Sequence, residues 1–247
     1  MIAPNSLWQE FAIPVAAKLS SASAALPERT IEQQFDQWAP TYESGRLAGW
    51  YQAQTEILLD HLDLDGYPRI LDIGCGTGWT LRRLSKRAPH IVGVGIDVSS
   101  GMVQQAQTLS TSEGLTNLTF KKMDWESDLD DLSGPFDAIL CISAFHYFAQ
   151  PLRALIRMRS IISDGGQLLI VERALDGSIL TRAWNFAHRH LVKDHVTFAA
   201  SDHLSEMARQ AGFGNVRILD RVNRMFWKNK LNTSLLLLEA RPEGNIQ

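Results

Sequence analysis

Residues 70–80 read Ile-Leu-Asp-Ile-Gly-Cys-Gly-Thr-Gly-Trp-Thr, and this stretch decides the fold. The apolar run over 69–73 predicts a buried strand, and a helix is expected over 79–87. Between them lie three glycines at alternate positions, Gly74, Gly76 and Gly78. Glycines at such a turn let the backbone bend sharply and let a ligand approach main-chain N–H groups without a Cβ atom in the way. The pattern predicts a ligand-binding strand–loop–helix unit, although a purely structural turn has the same spacing.

A single acid follows the next predicted strand. The apolar, β-branched run over 91–96 ends at Asp97, which comes 19 residues after Gly78. A carboxylate at the end of this strand can accept hydrogen bonds from both hydroxyls of a ribose. With the glycine loop, Asp97 therefore predicts an adenosine site. The alternative is that Asp97 only caps the helix that opens at Ser99.

Strands and helices alternate along the rest of the chain. Seven strands are predicted, over 69–73, 91–96, 118–122, 136–141, 167–173, 216–220 and 235–240. Between the fourth and fifth strands, apolar residues recur at helical spacing up to Ile162, and Asp164-Gly165-Gly166 is expected to end that helix. This alternation predicts an α/β protein, a Rossmann-like three-layer sandwich with a mostly parallel sheet whose last strand is antiparallel.

The composition is that of an ordinary globular protein. The 247 residues are 45% hydrophobic and 21% charged, with a net charge of −3. This charge gives no reason to expect a nucleic-acid partner. Two cysteines cannot build a disulfide framework, so a reducing cytoplasm is the expected setting. No apolar run approaches the ~20 residues that span a bilayer, and no integral membrane segment is expected.

Three segments carry a family resemblance. The run from Asp72 to Gly78 resembles motif I of the class I S-adenosylmethionine-dependent methyltransferases, and residues 136–141 resemble their fourth motif. Residues 35–42 (Phe-Asp-Gln-Trp-Ala-Pro-Thr-Tyr) are similar to the segment that precedes the core in small-molecule methyltransferases of the ubiquinone/menaquinone and biotin types. The resemblance covers about residues 68–173 and implies S-adenosyl-L-methionine as cofactor. A NAD-dependent oxidoreductase and a non-catalytic S-adenosylmethionine-binding regulator stay open as alternatives.

The resemblance also implies cofactor contacts. The acid after the third strand, here Asp124, would bind the adenine amino group, with Trp125 flanking the ring; an ordinary loop acid beside a core tryptophan is the alternative. Tyr42 is expected to help close the pocket. The predicted cofactor-binding residues are Tyr42, Asp72, Gly74, Cys75, Gly76, Gly78, Asp97, Val98, Met102, Asp124, Trp125 and Ser143.

Methyl transfer from a sulfonium is an in-line displacement in which the protein mainly aligns the reactants and excludes water. The acceptor atom can be oxygen, carbon or nitrogen, and an oxygen or nitrogen acceptor can also need a base. His146, after the fourth strand, is the first candidate and Tyr147 the second, while a structural role for His146 stays open. His188 and His190 would point to different faces of a helix, so no metal site is predicted.

The region after the fifth strand is expected to select the acceptor. Residues 173–230 carry ten Lys/Arg against five Asp/Glu, with interleaved aromatic residues. This predicts a hydrophobic pocket in which arginines such as Arg182, Arg189 and Arg224 meet an anionic or carbonyl-bearing small molecule; a solvated basic face is the alternative. The predicted organisation is an N-terminal helical arm or lid (1–47) and a methyltransferase domain (48–247) with a substrate-lid insertion (174–200).

Overall fold

A twisted seven-stranded sheet forms the centre of the protein. The computed structural model describes residues 30–45, 48–65, 68–128, 132, 134–173, 199–221 and 235–243. The strands follow the order β3-β2-β1-β4-β5-β7-β6 across the sheet. They are β1 (Arg69–Ile73), β2 (Val92–Asp97), β3 (Leu118–Lys122), β4 (Phe136–Ile142), β5 (Ile162–Arg173), β6 (Phe213–Arg221) and β7 (Leu235–Pro242).

The sheet is parallel except at one strand. β1 pairs in parallel with both β2 and β4, while β7 runs antiparallel between β5 and β6. The predicted Rossmann-like sandwich with an antiparallel last strand is therefore confirmed. Because the chain order reverses at β1, the helices that follow β1 and β4 pack on opposite faces of the sheet. Ligands bind in open α/β sheets at the carboxyl edge beside such a reversal.

Six helices are described, and all but the first pack on the two faces of the sheet. They are α1 (Ile31–Trp38), α2 (Ala48–Leu59), α3 (Trp79–Arg87), α4 (Ser100–Ser112), α5 (Pro151–Ile161) and α6 (Ser201–Gln210). One apolar core lies between the sheet and α5 and α6, and a second lies between the sheet and α2, α3 and α4. Because successive side chains of a strand point to opposite faces of the sheet, the strands contribute side chains to both cores.

The predicted end of the helix between β4 and β5 is wrong. The helix stops at Ile161, and β5 begins at Ile162 rather than at 167. Phe136 pairs with Ile162 and Ala138 with Gln167, so the residues between them bulge out of the β4–β5 ladder. The Asp164-Gly165-Gly166 signal therefore marks an irregularity within a strand, not the end of a helix.

The predicted N-terminal arm and substrate-lid insertion lie largely outside the described residues, which begin at Thr30 and omit 174–198. Within the described residues, none of the helices has the length and apolar character required to cross a membrane.

Candidate functional site

The loop between β1 and α3 has the backbone that its glycines predict. Gly74, Gly76 and Gly78 have φ angles of 72°, 55° and 75°, in the left-handed region that favours glycine. The amides of Gly74 and Cys75 both donate to the Ile96 carbonyl at 2.9 Å. A Cβ atom on Gly78 would lie 2.6 Å from the Phe120 ring. The loop is thus tightly packed against β2 and β3 and presents bare backbone at the carboxyl edge of the sheet.

Asp97 links the end of β2 to this loop. Its Oδ2 accepts a hydrogen bond from the Gly76 amide and its Oδ1 one from the Ser99 amide, both at 2.9 Å. Burial raises the pKa of the Asp97 carboxyl, and these two hydrogen bonds oppose that shift. Each carboxylate oxygen has two lone pairs, so Asp97 keeps acceptor capacity for a bound hydroxyl group.

Asp72 is a second buried carboxyl, at the end of β1. It is 2% exposed. Burial, and next the charge of Asp97, raise the pKa of Asp72 to about 7. No hydrogen bond from the described part of the chain lowers that pKa. A cationic group placed beside Asp72 would favour its charged form.

A cavity of about 60 Å³ lies over the glycine loop. Asp72, Gly74 and Gly76 line it, together with Tyr42 and Tyr51. The two tyrosine rings stack, with centroids 5.1 Å apart and an interplanar angle of 24°. Burial raises the pKa of both phenols, so both are neutral at physiological pH.

A buried histidine–carboxylate pair follows β4. The Nδ1 atom of His146 lies 2.8 Å from Oε2 of Glu172, the penultimate residue of β5. The His146 amide also donates to Oε2, at 3.2 Å, and the Arg173 amide donates to Oε1 at 2.7 Å. The His146 ring lies 4.1 Å from the Tyr147 ring, between centroids. Glu172 thereby orients the imidazole and can stabilise its protonated form.

Ser143, between β4 and His146, has a strained backbone. Its φ angle is 50°, unusual for a residue other than glycine. Its hydroxyl donates to Oε1 of the buried Gln54 at 2.7 Å. The next residue, Ala144, touches the first loop, because a Cβ on Gly74 would lie 2.4 Å from the Ala144 Cβ. The loops after β1 and β4 therefore meet at the carboxyl edge.

Asp124 and Trp125 have identifiable local roles. The Asp124 carboxylate is exposed and accepts hydrogen bonds from the Glu126 amide at 3.0 Å and the Ser127 hydroxyl at 2.9 Å. Trp125 is buried, its Nε1 donates to the Ala154 carbonyl at 3.3 Å, and the Arg157 guanidinium lies 4.1 Å from its ring centroid. Their contact with an adenine stays a prediction.

The structure brings only part of the predicted set to the cavity. The cavity-lining members are Tyr42, Asp72, Gly74, Cys75 and Gly76. The members that do not line it are Gly78, Asp97, Val98, Met102, Asp124, Trp125 and Ser143. Met102 is fully buried near the start of α4. Sequence reasoning missed Glu172, although an acid within an otherwise apolar strand was a signal that could have found it.

The chain matches the methyltransferase domain family over residues 25–218 and belongs to that family. This match identifies a class I S-adenosylmethionine-dependent methyltransferase domain, a family whose cofactor is S-adenosyl-L-methionine. Family membership favours this activity over that of a nicotinamide-dependent oxidoreductase.

Curated relatives match over part of their length. The chain is 31% identical to the biotin biosynthesis bifunctional protein BioCD of Bordetella avium, over 66% of this chain and 34% of that protein. It is also 31% identical to trans-aconitate 2-methyltransferase of Deinococcus radiodurans, over 42% of this chain and 37% of the relative. The chain thus spans only about a third of the length of these two relatives.

Solved structures share the fold. The methyltransferase SibL, in its apo form, superposes with a TM-score of 0.69 at 20% identity, covering 96% of this chain and 72% of SibL.

Proposed function

We propose that this protein transfers a methyl group from S-adenosyl-L-methionine to a small-molecule acceptor, by in-line displacement and without a metal. The observation that carries this proposal is the position of Asp97, which joins the end of β2 to the Gly76 amide of the glycine loop. In this arrangement the ribose hydroxyls would meet Asp97 while the rest of the cofactor follows the carboxyl edge of the sheet.

Asp72 is proposed to meet the methionine end of the cofactor. Its buried carboxyl lines the cavity beside Gly74 and Gly76. The ammonium group of the cofactor would supply the positive charge that this carboxyl lacks among the described residues. Val98, Met102, Asp124 and Trp125 are proposed to form the adenine side, and Ser143 the side near the sulfonium.

The chemical step needs little from the protein beyond alignment and the exclusion of water, because the sulfonium is already an activated methyl donor. For an oxygen or nitrogen acceptor, His146 is proposed to take the acceptor proton. Glu172, 2.8 Å from Nδ1, would fix the imidazole tautomer and stabilise the imidazolium that forms. Tyr147, beside the imidazole, is the second candidate for this role.

The acceptor is proposed to carry an anionic or carbonyl group. Arg173 ends β5 close to Glu172, Tyr51 and Tyr147. Burial lowers the pKa of its guanidinium, and the charge of Glu172 opposes that shift. A cation at this position suits an acidic acceptor, as the name of trans-aconitate 2-methyltransferase indicates for that relative. The arginines predicted from the sequence, Arg182, Arg189 and Arg224, lie outside the described residues.

Neither a nucleic-acid partner nor a metal is part of this proposal, and the buried free thiols Cys75 and Cys141 suit a reducing cytoplasm. Calorimetry with S-adenosylhomocysteine and, separately, NAD tests the cofactor. We expect micromolar binding of the first and none of the second. A methyl-transfer assay on a panel of carboxylic acids, phenols and amines, with and without EDTA, then tests the acceptor and the metal. Turnover that EDTA abolishes would contradict the metal-independent mechanism.

A further inference from the structure

A buried glutamine of α2 has one amide group without a partner. Gln54 is 1% exposed, and its Oε1 accepts a hydrogen bond from the Ser143 hydroxyl at 2.7 Å. Its Nε2 group is also buried, and it has no hydrogen-bond partner among the described residues. A buried donor without an acceptor is unfavourable, and each such group in a folded protein needs an explanation. An oxygen atom of a bound ligand would supply the missing acceptor.

The other buried glutamine of the described ranges has all its polar atoms paired. The Nε2 group of Gln167 donates to the His61 carbonyl at 2.8 Å and to Oε1 of Glu239 at 2.7 Å. Its Oε1 accepts from the Asp63 amide at 3.2 Å. These contacts lie in the first half of β5, away from the carboxyl edge of the sheet. Gln167 therefore has a structural role that accounts for its burial, whereas the Nε2 group of Gln54 has none.

Gln54 lies between residues that line the cavity. Tyr51, one turn earlier on the same side of α2, and the next residue, Thr55, are both lining residues. Ile142, which directly precedes the Ser143 partner of Gln54, is another. The unpartnered amide is thus bounded by the cavity along α2 and at the end of β4.

Ser143 connects this amide to the proposed site of chemistry. The Ser143 backbone amide donates to the Val171 carbonyl at 2.8 Å, and His146 follows Ser143 by three residues. Val171 belongs to the core on the α2 side of the sheet. Arg173, two residues further along β5, lies on the same face, because strand side chains alternate. Gln54 therefore lies near the ends of β4 and β5, from which His146 and Arg173 come.

The groups around Gln54 favour a ligand with a carboxylate or carbonyl oxygen. A carboxamide nitrogen only donates hydrogen bonds, and so does a guanidinium. Arg173 is close enough to the Tyr51 phenol for its charge to act on that group. The methionine carboxylate of the cofactor and an oxygen of the acceptor share this chemistry. Since Gln54 binds the residue after β4 and not the glycine loop, its position favours the acceptor.

We propose that Gln54 determines acceptor specificity: its Nε2 group donates to a carboxylate or carbonyl oxygen of the methyl acceptor, while its Oε1 holds Ser143. An acceptor without that oxygen leaves the amide unpaired and binds less well. This proposal rests on the small-molecule acceptor site proposed above, and it adds a residue from α2 to a site otherwise formed after β4 and β5.

NMR of the nitrogen-15-labelled side-chain amides tests the contact, with Q54M assigning the Gln54 signal. The probes are malonate, trans-aconitate, benzoate and salicylate, each added to protein loaded with S-adenosylhomocysteine, and benzylamine is the comparison. We expect at least one carboxylate to shift the Gln54 signal and benzylamine to leave it unchanged. Q54M should raise Kd for that carboxylate by about 10- to 100-fold, as expected for a hydrogen bond to a charged group.

Two further variants control this measurement. Q54E keeps the size of the side chain and an acceptor for the Ser143 hydroxyl, but its charge repels a carboxylate, so it should weaken binding at least as much as Q54M. Q167M is the matched control, because it removes the other buried amide at a distance from the site, and Kd should stay within about twofold of wild type. Thermal unfolding of each variant checks that the binding data come from folded protein.

The outcomes separate the acceptor from the cofactor. No shift with any of the four carboxylates, or equal losses of affinity in Q54M and Q167M, would overturn the proposal. A shift caused by S-adenosylhomocysteine alone, but not by 5′-methylthioadenosine, which lacks the carboxylate, would assign the amide to the cofactor and also overturn it. If wild-type protein does not bind S-adenosylhomocysteine, the proposed function itself fails, and the carboxylate titration of ligand-free protein still tests Gln54.

Discussion

His146 and Glu172 form a buried hydrogen-bonded pair, with Nδ1 of the histidine 2.8 Å from Oε2 of the glutamate. They come from different elements, the turn after β4 and the end of β5, which are neighbours in the sheet. A carboxylate at this distance favours Nδ1 as the hydrogen-bond donor of the imidazole ring.

E172Q should therefore lower kcat by about 10- to 100-fold for an oxygen or nitrogen acceptor, since the amide stabilises the imidazolium less well. Kd for S-adenosylhomocysteine should stay near the wild-type value. A pH–rate profile supplies the discriminating readout, because removal of the carboxylate changes the pH dependence of kcat only if His146 takes part in the proton transfer. An unchanged kcat and an unchanged profile would assign the pair a structural role.

D124N tests the adenine contact predicted from the sequence. If the Asp124 carboxylate accepts from the adenine amino group, the variant should raise Kd for S-adenosylhomocysteine about 3- to 10-fold. S127A is the control, because it removes the 2.9 Å hydrogen bond inside the same turn and leaves the carboxylate in place. Equal effects of the two variants would mean that Asp124 only holds the turn.

Much of the fold could be predicted because its signals are local. The strands predicted over 69–73 and 118–122 match the observed bounds of β1 and β3, and the three glycines predicted the sharp turn after β1. The start of β5 could not be predicted, because its pairing with Phe136 depends on a distant strand.

The residues of the candidate site also differ in whether a local sequence pattern predicts them. Asp72 and Asp97 are fixed by their place at strand ends, which a sequence shows directly. Glu172 becomes visible only when β4 meets β5, and Asp36, which accepts a hydrogen bond from Ser99, only when α1 meets α4. Contacts between residues far apart in the chain carry no local pattern.

The glycine loop makes a separate prediction about stability. G78A should destabilise the protein by about 2–4 kcal/mol, because it adds a steric clash with Phe120 to the cost of a left-handed alanine. Gly114 is the matched control: its φ is 70°, close to the 75° of Gly78, and a Cβ there would meet nothing within 4 Å. G114A should cost only about 1–2 kcal/mol. Urea unfolding of both variants measures the difference, and equal losses would contradict the steric argument.

Asp72 makes stability depend on pH in an unusual direction. Its pKa is raised to about 7 from an ordinary value of 3.8, so the folded protein holds a proton that the unfolded chain has lost. The favourable contribution is complete below about pH 4 and is lost as pH rises towards 7. The free energy of unfolding of the ligand-free protein should therefore fall across this window, and D72N should reduce the slope. Asp97, whose pKa burial also raises, supplies a remaining slope of the same sign.

The affinity for S-adenosylhomocysteine should depend on pH in the direction opposite to that of the stability. An ammonium group beside Asp72 favours the carboxylate, so the affinity for S-adenosylhomocysteine should rise as pH increases from 6 to 8, while the ligand's amino group stays charged. D72N should flatten this rise, because its amide does not titrate. Calorimetry in two buffers of different ionisation enthalpy should also show proton release on binding to wild type near pH 6.5. Affinity that falls with pH, or equal proton release from D72N, would place the ammonium group away from Asp72.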